Sequence, residues 1–199
     1  MSRMVYAHQL PPENDPEAVA LARSWIDAAR AAQRPGRAMG YAIPSTIIGI
    51  VLWGELNRWT GFAMHWYGMA GSAVALGVVL GRPCRSLGAL FDRRWAALLF
   101  VLGFAMGALG DLYATTALVA ARDGIDWLTV ITHADVGGWI AGRTPLDWIV
   151  AGAGGAGAAL AGRPPMDERQ LFMQARIDVA AARLDAQERE DAGDAEDAA

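Results

Sequence analysis

Residues 95–120 read WAALLFVLGFAMGALGDLYATTALVA, and Asp111 is the only charged side chain in the run. As a helix rising 1.5 Å per residue, that stretch is roughly 39 Å long, more than the ~30 Å hydrocarbon core of a bilayer. Length and apolarity together predict a transmembrane helix. Moving outward, residues 62–80 form a second run long enough to cross unaided. Residues 38–56, which contain Pro44, and residues 146–162, which are mostly Ala and Gly, are shorter and would lean on their neighbours. The expected fold class is all-α, a four-helix transmembrane bundle over residues 38–163, with spans at about 38–56, 62–80, 95–120 and 146–162.

Composition agrees with this partition. Of the 199 residues, 54% are hydrophobic and 19% charged, and the charges fall between and outside the apolar runs. The net charge of −4 comes partly from an acidic end, where Glu188 to Asp197 hold six acids and one Arg. This balance gives nucleic-acid binding no support. Cys84 is the single cysteine, so there is no intrachain disulfide and no paired-cysteine zinc motif. A cleaved signal peptide is not expected, because the first apolar run begins only near residue 38.

Orientation follows from the arginines, since basic residues near spans favour the cytoplasm. Arg23, Arg30, Arg34 and Arg37 flank the first span. Arg82, Arg85, Arg93 and Arg94 lie between the second and third, and Arg163, Arg169 and Arg176 follow the fourth, eleven on one side. Arg58, Arg122 and Arg143 make three on the other. The expected location is the inner (plasma) membrane, multi-pass, with both termini cytoplasmic. Trp53, Trp59, Trp66, Trp127, Trp139 and Trp148 fall near the outer boundary and Trp95 at the inner one, as an interfacial aromatic belt would.

The flanks read as helices. Residues 1–37 form a cytoplasmic arm and amphipathic helix: Asn14 or Asp15 can cap it, Pro16 suits its first turn, and Val19, Ala22, Ile26 and Ala29 recur at helical spacing. It would lie on the membrane or pack on another cytoplasmic part. Residues 164–190 read as a second cytoplasmic helix, with Leu171, Phe172, Ala175, Val179 and Leu184 on its apolar side, and 191–199 as an acidic disordered tail. In the outer connection, 125–131 predicts a short interfacial helix.

Few polar groups are placed for chemistry. Asp111 lies 16 residues beyond Trp95, so about 24 Å along its helix and in the outer part of the membrane. A carboxylate there needs a partner, water or a functional reason. With His65 and Glu55 at a similar level it forms a speculative ion or proton site, to which Asn57, His133 and Asp135 are candidate additions. The competing reading is packing hydrogen bonds and interfacial polarity. Gly77 with Gly81, and Gly103 with Gly107, put two glycines one turn apart, a spacing that lets helix backbones approach closely in lipid. Packing within one bundle is the first reading of these pairs and a homodimer face the second. Cys84, after Pro83, is placed in a cytoplasmic loop, as a bystander more than a reactive thiol. No catalytic residue, cofactor site or metal site is expected.

The stretch from about Gly40 to Arg163 resembles a widespread, functionally uncharacterised type of small bacterial four-span membrane protein. The residues that carry the resemblance are Trp53 through Thr60 and Gly61, then Gly68, Gly71 and Gly77, Arg82 and Arg85, Gly107 and Gly110, and Pro145 to Trp148. Some relatives carry a cytoplasmic zinc ribbon before the bundle, where this chain has an acid-capped helix and no metal-binding cysteines. The resemblance implies architecture and no mechanism. The expected function is a non-enzymatic scaffold or modulator of a membrane partner, with lipid and a homo-oligomer or other membrane protein as partners. The alternative is a small oligomeric transporter or channel subunit using the outer polar residues. A lipid-directed membrane enzyme ranks last.

Overall fold

The computed structural model describes residues 6–60 and 66–197. Among the described residues there are eight α-helices and no strand, so the fold is all-α. Helix α1, Pro16–Ala31, starts at an acidic cap: the Asp15 carboxylate accepts from the Glu17 and Ala18 N–H groups at 3.1 Å, and Pro16 takes the first helical position. Then follow α2 (Pro35–Thr60), α3 (Trp66–Gly88), α4 (Arg93–Asp123), the short α5 (Trp127–Thr132) and α6 (Val136–Ala141), α7 (Pro145–Ala161) and α8 (Glu168–Asp197). The chain divides into two compact units, Met1–Ala32 with Pro165–Ala199, and Gln33–Pro164.

In the first unit α1 packs on α8. Ala18 and Ala22 are buried on α1, and Ala175, Val179 and Ala180 on α8. Arg183 reaches Asp15 at 2.9 Å and Glu17 at 3.0 Å, while Arg30 meets Glu168 at 2.7 Å, so the start of one helix faces the far part of the other and the pair is antiparallel. Arg176 ties the preceding arm to α8 by donating to the Pro11 carbonyl at 2.7 and 2.9 Å. The acidic stretch expected to be disordered is helical as far as Asp197. It has no proline, and its alanines and glutamates are good helix formers that extend an existing helix without a new nucleation step.

The second unit is a bundle of α2, α3, α4 and α7, with α5 and α6 in the connection between α4 and α7. Paired residues give the directions: Asn57 meets Asp111, Phe104 stacks on Trp148, and Tyr41 reaches Val79. Successive long helices therefore alternate in direction. Helix α7 is held between α3 and α4. A methyl added at Gly77 or Gly81 would run into the carbonyl oxygens of Gly154 or Ala158, and one at Gly103 would lie 2.7 Å from the Gly154 oxygen. Gly107 sits 3.0 Å, by the same measure, from the Ala151 backbone. All four glycines singled out in the sequence thus face α7 inside the bundle.

Two helices, α2 and α4, are long and apolar enough to cross a membrane. Helix α3 carries Arg82 and Arg85 in its last turns, and the 17 residues of α7 amount to roughly 25 Å. The distribution of side chains is inverted relative to a water-soluble fold. Ile47 and Ile48 on α2, Val79 on α3, Val101 on α4, and Ile149 and Leu160 on α7 are all exposed to more than half of their surface. Most buried positions of the bundle hold small residues and a few polar ones, with Trp53, Leu80, Leu90, Leu99 and Met106 among the large ones.

Cys84 is not in a loop. Helix α3 runs through Pro83 to Gly88, and the thiol is fully buried, 3.7 Å from the Ala38 carbonyl oxygen. A proline inside a helix removes the N–H that would bond the carbonyl four residues earlier, here that of Val79. The Tyr41 hydroxyl donates to that carbonyl at 3.2 Å and replaces the lost bond, so the helix survives its proline. In the connection between α4 and α7, α5 is the helix expected at 125–131, and α6 is a second one. Each is capped by an aspartate, with Asp126 accepting from Thr129 N–H and Asp135 from Gly138 N–H.

Candidate functional site

A cluster of polar groups lies at the end of the bundle where α2 and α4 finish and α7 begins. Asp111, on α4, is 8% exposed, and Asn57, on α2, is 1% exposed. The Asn57 amide donates to Asp111 Oδ1 at 2.6 Å. The other carboxylate oxygen pairs with Arg143 Nη1 at 3.1 Å. Arg143 lies just before α7 and also donates from Nη2 to the Thr115 hydroxyl at 3.1 Å, one turn beyond Asp111 on α4. Its guanidinium lies over the Trp139 ring of α6, 4.7 Å from the centroid. One buried ion pair therefore joins α2, α4, α6 and the start of α7.

This arrangement answers the cost of a carboxylate in an apolar helix. A lone buried charge is strongly unfavourable, and a paired and hydrogen-bonded one is tolerated. The buried indole N–H groups of Trp53 and Trp139 have no hydrogen-bond partner among the described residues. Helix α7 starts on the same platform. Its N3 residue Asp147 accepts from the Thr144 N–H at 2.8 Å and hydroxyl at 2.9 Å, with Pro145 in the first turn.

Glu55 belongs to a neighbouring cluster. It accepts from the Tyr113 hydroxyl at 2.6 Å and pairs with Arg58 at 2.8 Å. Tyr113 packs edge-on against Trp127, whose indole N–H donates to Thr116 at 3.1 Å. Asp111 and Glu55 thus sit at the same end of the bundle with different partners. His65 lies outside the described residues. His133 and Asp135 are used locally: the histidine ring lies 2.9 Å from the Thr129 carbonyl oxygen, and Asp135 caps α6. Among the described residues no three His, Cys, Asp or Glu side chains are grouped to hold a metal ion.

Sequence reasoning reached Asp111 and Asn57 but missed Arg143, counted only as an outer arginine, and Trp139. No spacing links positions 111 and 143. A usable signal existed: the one acid in the 95–120 run needs a cation, and only three arginines were assigned to its side by the sequence. Above the pair is an open cleft of about 330 Å³ lined by Thr115, Gly138, Trp139, Gly142 and Arg143. Within the bundle, the gap between Trp53, Leu76, Met106 and Gly154 is too narrow to admit water. Comparison of the chain with protein-family models, curated proteins and solved structures finds no match.

Proposed function

We propose that this chain is a four-span integral protein of the inner membrane, with both termini cytoplasmic, acting as a non-enzymatic scaffold or modulator of a membrane partner. The observation that carries the reading is the inverted side-chain distribution. All four long helices of the bundle expose large aliphatic side chains, while most of the positions buried between them are small or polar, which suits a hydrocarbon surround, where small residues let helices pack closely. The alternating helix directions are those four spans require. Arg58, Arg122 and Arg143 all fall at the end of the bundle that carries fewer arginines.

The scaffold reading draws on how the polar groups are employed. Asp111, Asn57, Glu55 and Tyr113 hold one another and the arginines, and the bundle interior offers no water-sized passage beside Trp53. A transporter or channel would need a path made by several copies. The α1–α8 pair supplies a separate helical unit suited to protein contact.

Cross-linking the full-length protein in native membranes, followed by identification of the captured proteins, tests this. The expected result is a membrane-protein partner whose capture falls when residues 1–32 and 165–199 are removed. Capture unaffected by that removal counts against the scaffold reading. Reporter fusions placing residue 199 outside the cytoplasm defeat the topology.

A further inference from the structure

We infer that the outer cleft over the Asp111–Arg143 pair is a binding site for a phosphate group, carried by a phospholipid whose tails lie along the apolar rim. The lipid part of this rests on the membrane reading above; the phosphate part does not. Arg143 is presented unusually well for such a role. A guanidinium has five N–H donors and no acceptor. Asp111 takes a bond at Nη1 and Thr115 one at Nη2, so donors remain for a ligand in the cleft that the side chain lines. Those two partners and the Trp139 ring fix the orientation of the guanidinium before any ligand arrives, and a pre-oriented arginine loses less freedom on binding.

Asp111 offsets much of the charge of Arg143, so recognition rests on directed hydrogen bonds from a donor-only group. The ligand must present acceptors, and phosphate oxygens match the planar fork of arginine. The surroundings select an amphiphile. Val136 and Ile140 on α6, Leu146 at the start of α7 and Leu128 on α5 are all exposed by 42% or more around this end of the bundle. The cleft wall contributed by α6 is bare at Gly138 and Gly142. These two glycines differ in a way that makes a test. A methyl at Gly138 would collide with the capping Asp135 carboxylate. At Gly142 it would meet only its own helix's carbonyls, the nearest at 3.4 Å. A larger side chain at position 142 therefore fills the cleft and leaves the Asp135 cap in place.

The experiment uses full-length protein purified in a phosphate-free maltoside detergent. Melting temperature is followed while phosphatidylglycerol, diacylglycerol with the same tails, or glycerol phosphate is titrated in. The expected result is a saturable rise with phosphatidylglycerol and none with diacylglycerol. Arg143→Gln should weaken that response by about tenfold or more, the worth of one or two charge-assisted hydrogen bonds, and Gly142→Leu should weaken it likewise by filling the cleft. An equal response to glycerol phosphate assigns the site to a free phosphate ester and keeps the phosphate chemistry. Equal responses to phosphatidylglycerol and diacylglycerol, no response to either phosphate compound, or a Gly142→Leu protein that responds like the parent overturns the inference. Retention of the protein in carbonate-washed membranes is scored separately, so a failure of the spanning reading is distinguishable from a failure of the site.

Discussion

Gly157 and Gly152, one and a half turns apart on α7, should respond oppositely to the same one-carbon change. A Cβ at Gly157 would stand 2.6 Å from the Val74 carbonyl oxygen and 3.1 Å from the Val74 Cα. Those are backbone atoms, so relief requires α3 and α7 to move apart. Overpacking of this kind costs about 1–3 kcal/mol, offset by up to ~1 kcal/mol from replacing glycine with alanine in a helix. Gly157→Ala should therefore destabilise the bundle by up to about 2 kcal/mol. At Gly152 nothing lies within 4 Å of an added Cβ, so Gly152→Ala keeps only the helix gain and should be neutral or stabilising by up to ~1 kcal/mol. Separating α3 from α7 also disturbs the contact of α7 with α4, because α7 is held on both sides. Unfolding of each variant in mixed micelles against increasing dodecyl sulfate measures the difference. The reasoning fails if the two variants unfold at the same detergent fraction, since the close approach of α3 and α7 would then not be what holds α7 in the bundle.

Three further predictions concern polar groups. Arg143→Met should destabilise by about 3–5 kcal/mol, because it leaves the buried Asp111 carboxylate without its cation, and Asp111→Leu by less, because Arg143 faces the open cleft, while the double variant should recover much of the loss of Arg143→Met; additive losses in a double-mutant cycle would show that the two side chains do not depend on each other. Tyr41→Phe should cost about 1 kcal/mol by leaving the Val79 carbonyl without its donor beside Pro83, and an unchanged unfolding midpoint would mean that the hydroxyl does not repair the helix. The pairing of α1 with α8 should weaken in acid. The Ala18 N–H, with help from Arg183, holds the Asp15 carboxyl below its ordinary value, so its contribution is present above the ordinary carboxylate range near 4 and is lost as pH falls through the lower folded value. Energy transfer between dyes on α1 and α8 should fall over that acid window, and an identical titration in Asp15→Asn would refute the assignment.

What the sequence determined by itself was mostly local. Helix class, the acidic start of α1, the proline-led start of α7 and the apolar length of α4 are written in neighbouring residues, where periodicity and caps act over a few positions. The glycines at 77, 81, 103 and 107 were legible as packing sites because helical spacing alone puts each pair on one face. Continuation of α3 through Pro83 was not legible, because the bond that repairs it comes from Tyr41 on another helix. Nor was helix α6, whose apolar residues are too few to show a period, or the helical state of the acidic end, where charge pattern pointed to disorder and an existing helix extended through it. The candidate site divides the same way. Asp111 announced itself as the one charge in an apolar span, but its partner could be named only once α4 and the start of α7 lay side by side. An ion pair across 32 positions leaves no periodic trace in a chain, and only the tertiary arrangement of α2, α4, α6 and α7 decides which charge a buried carboxylate meets.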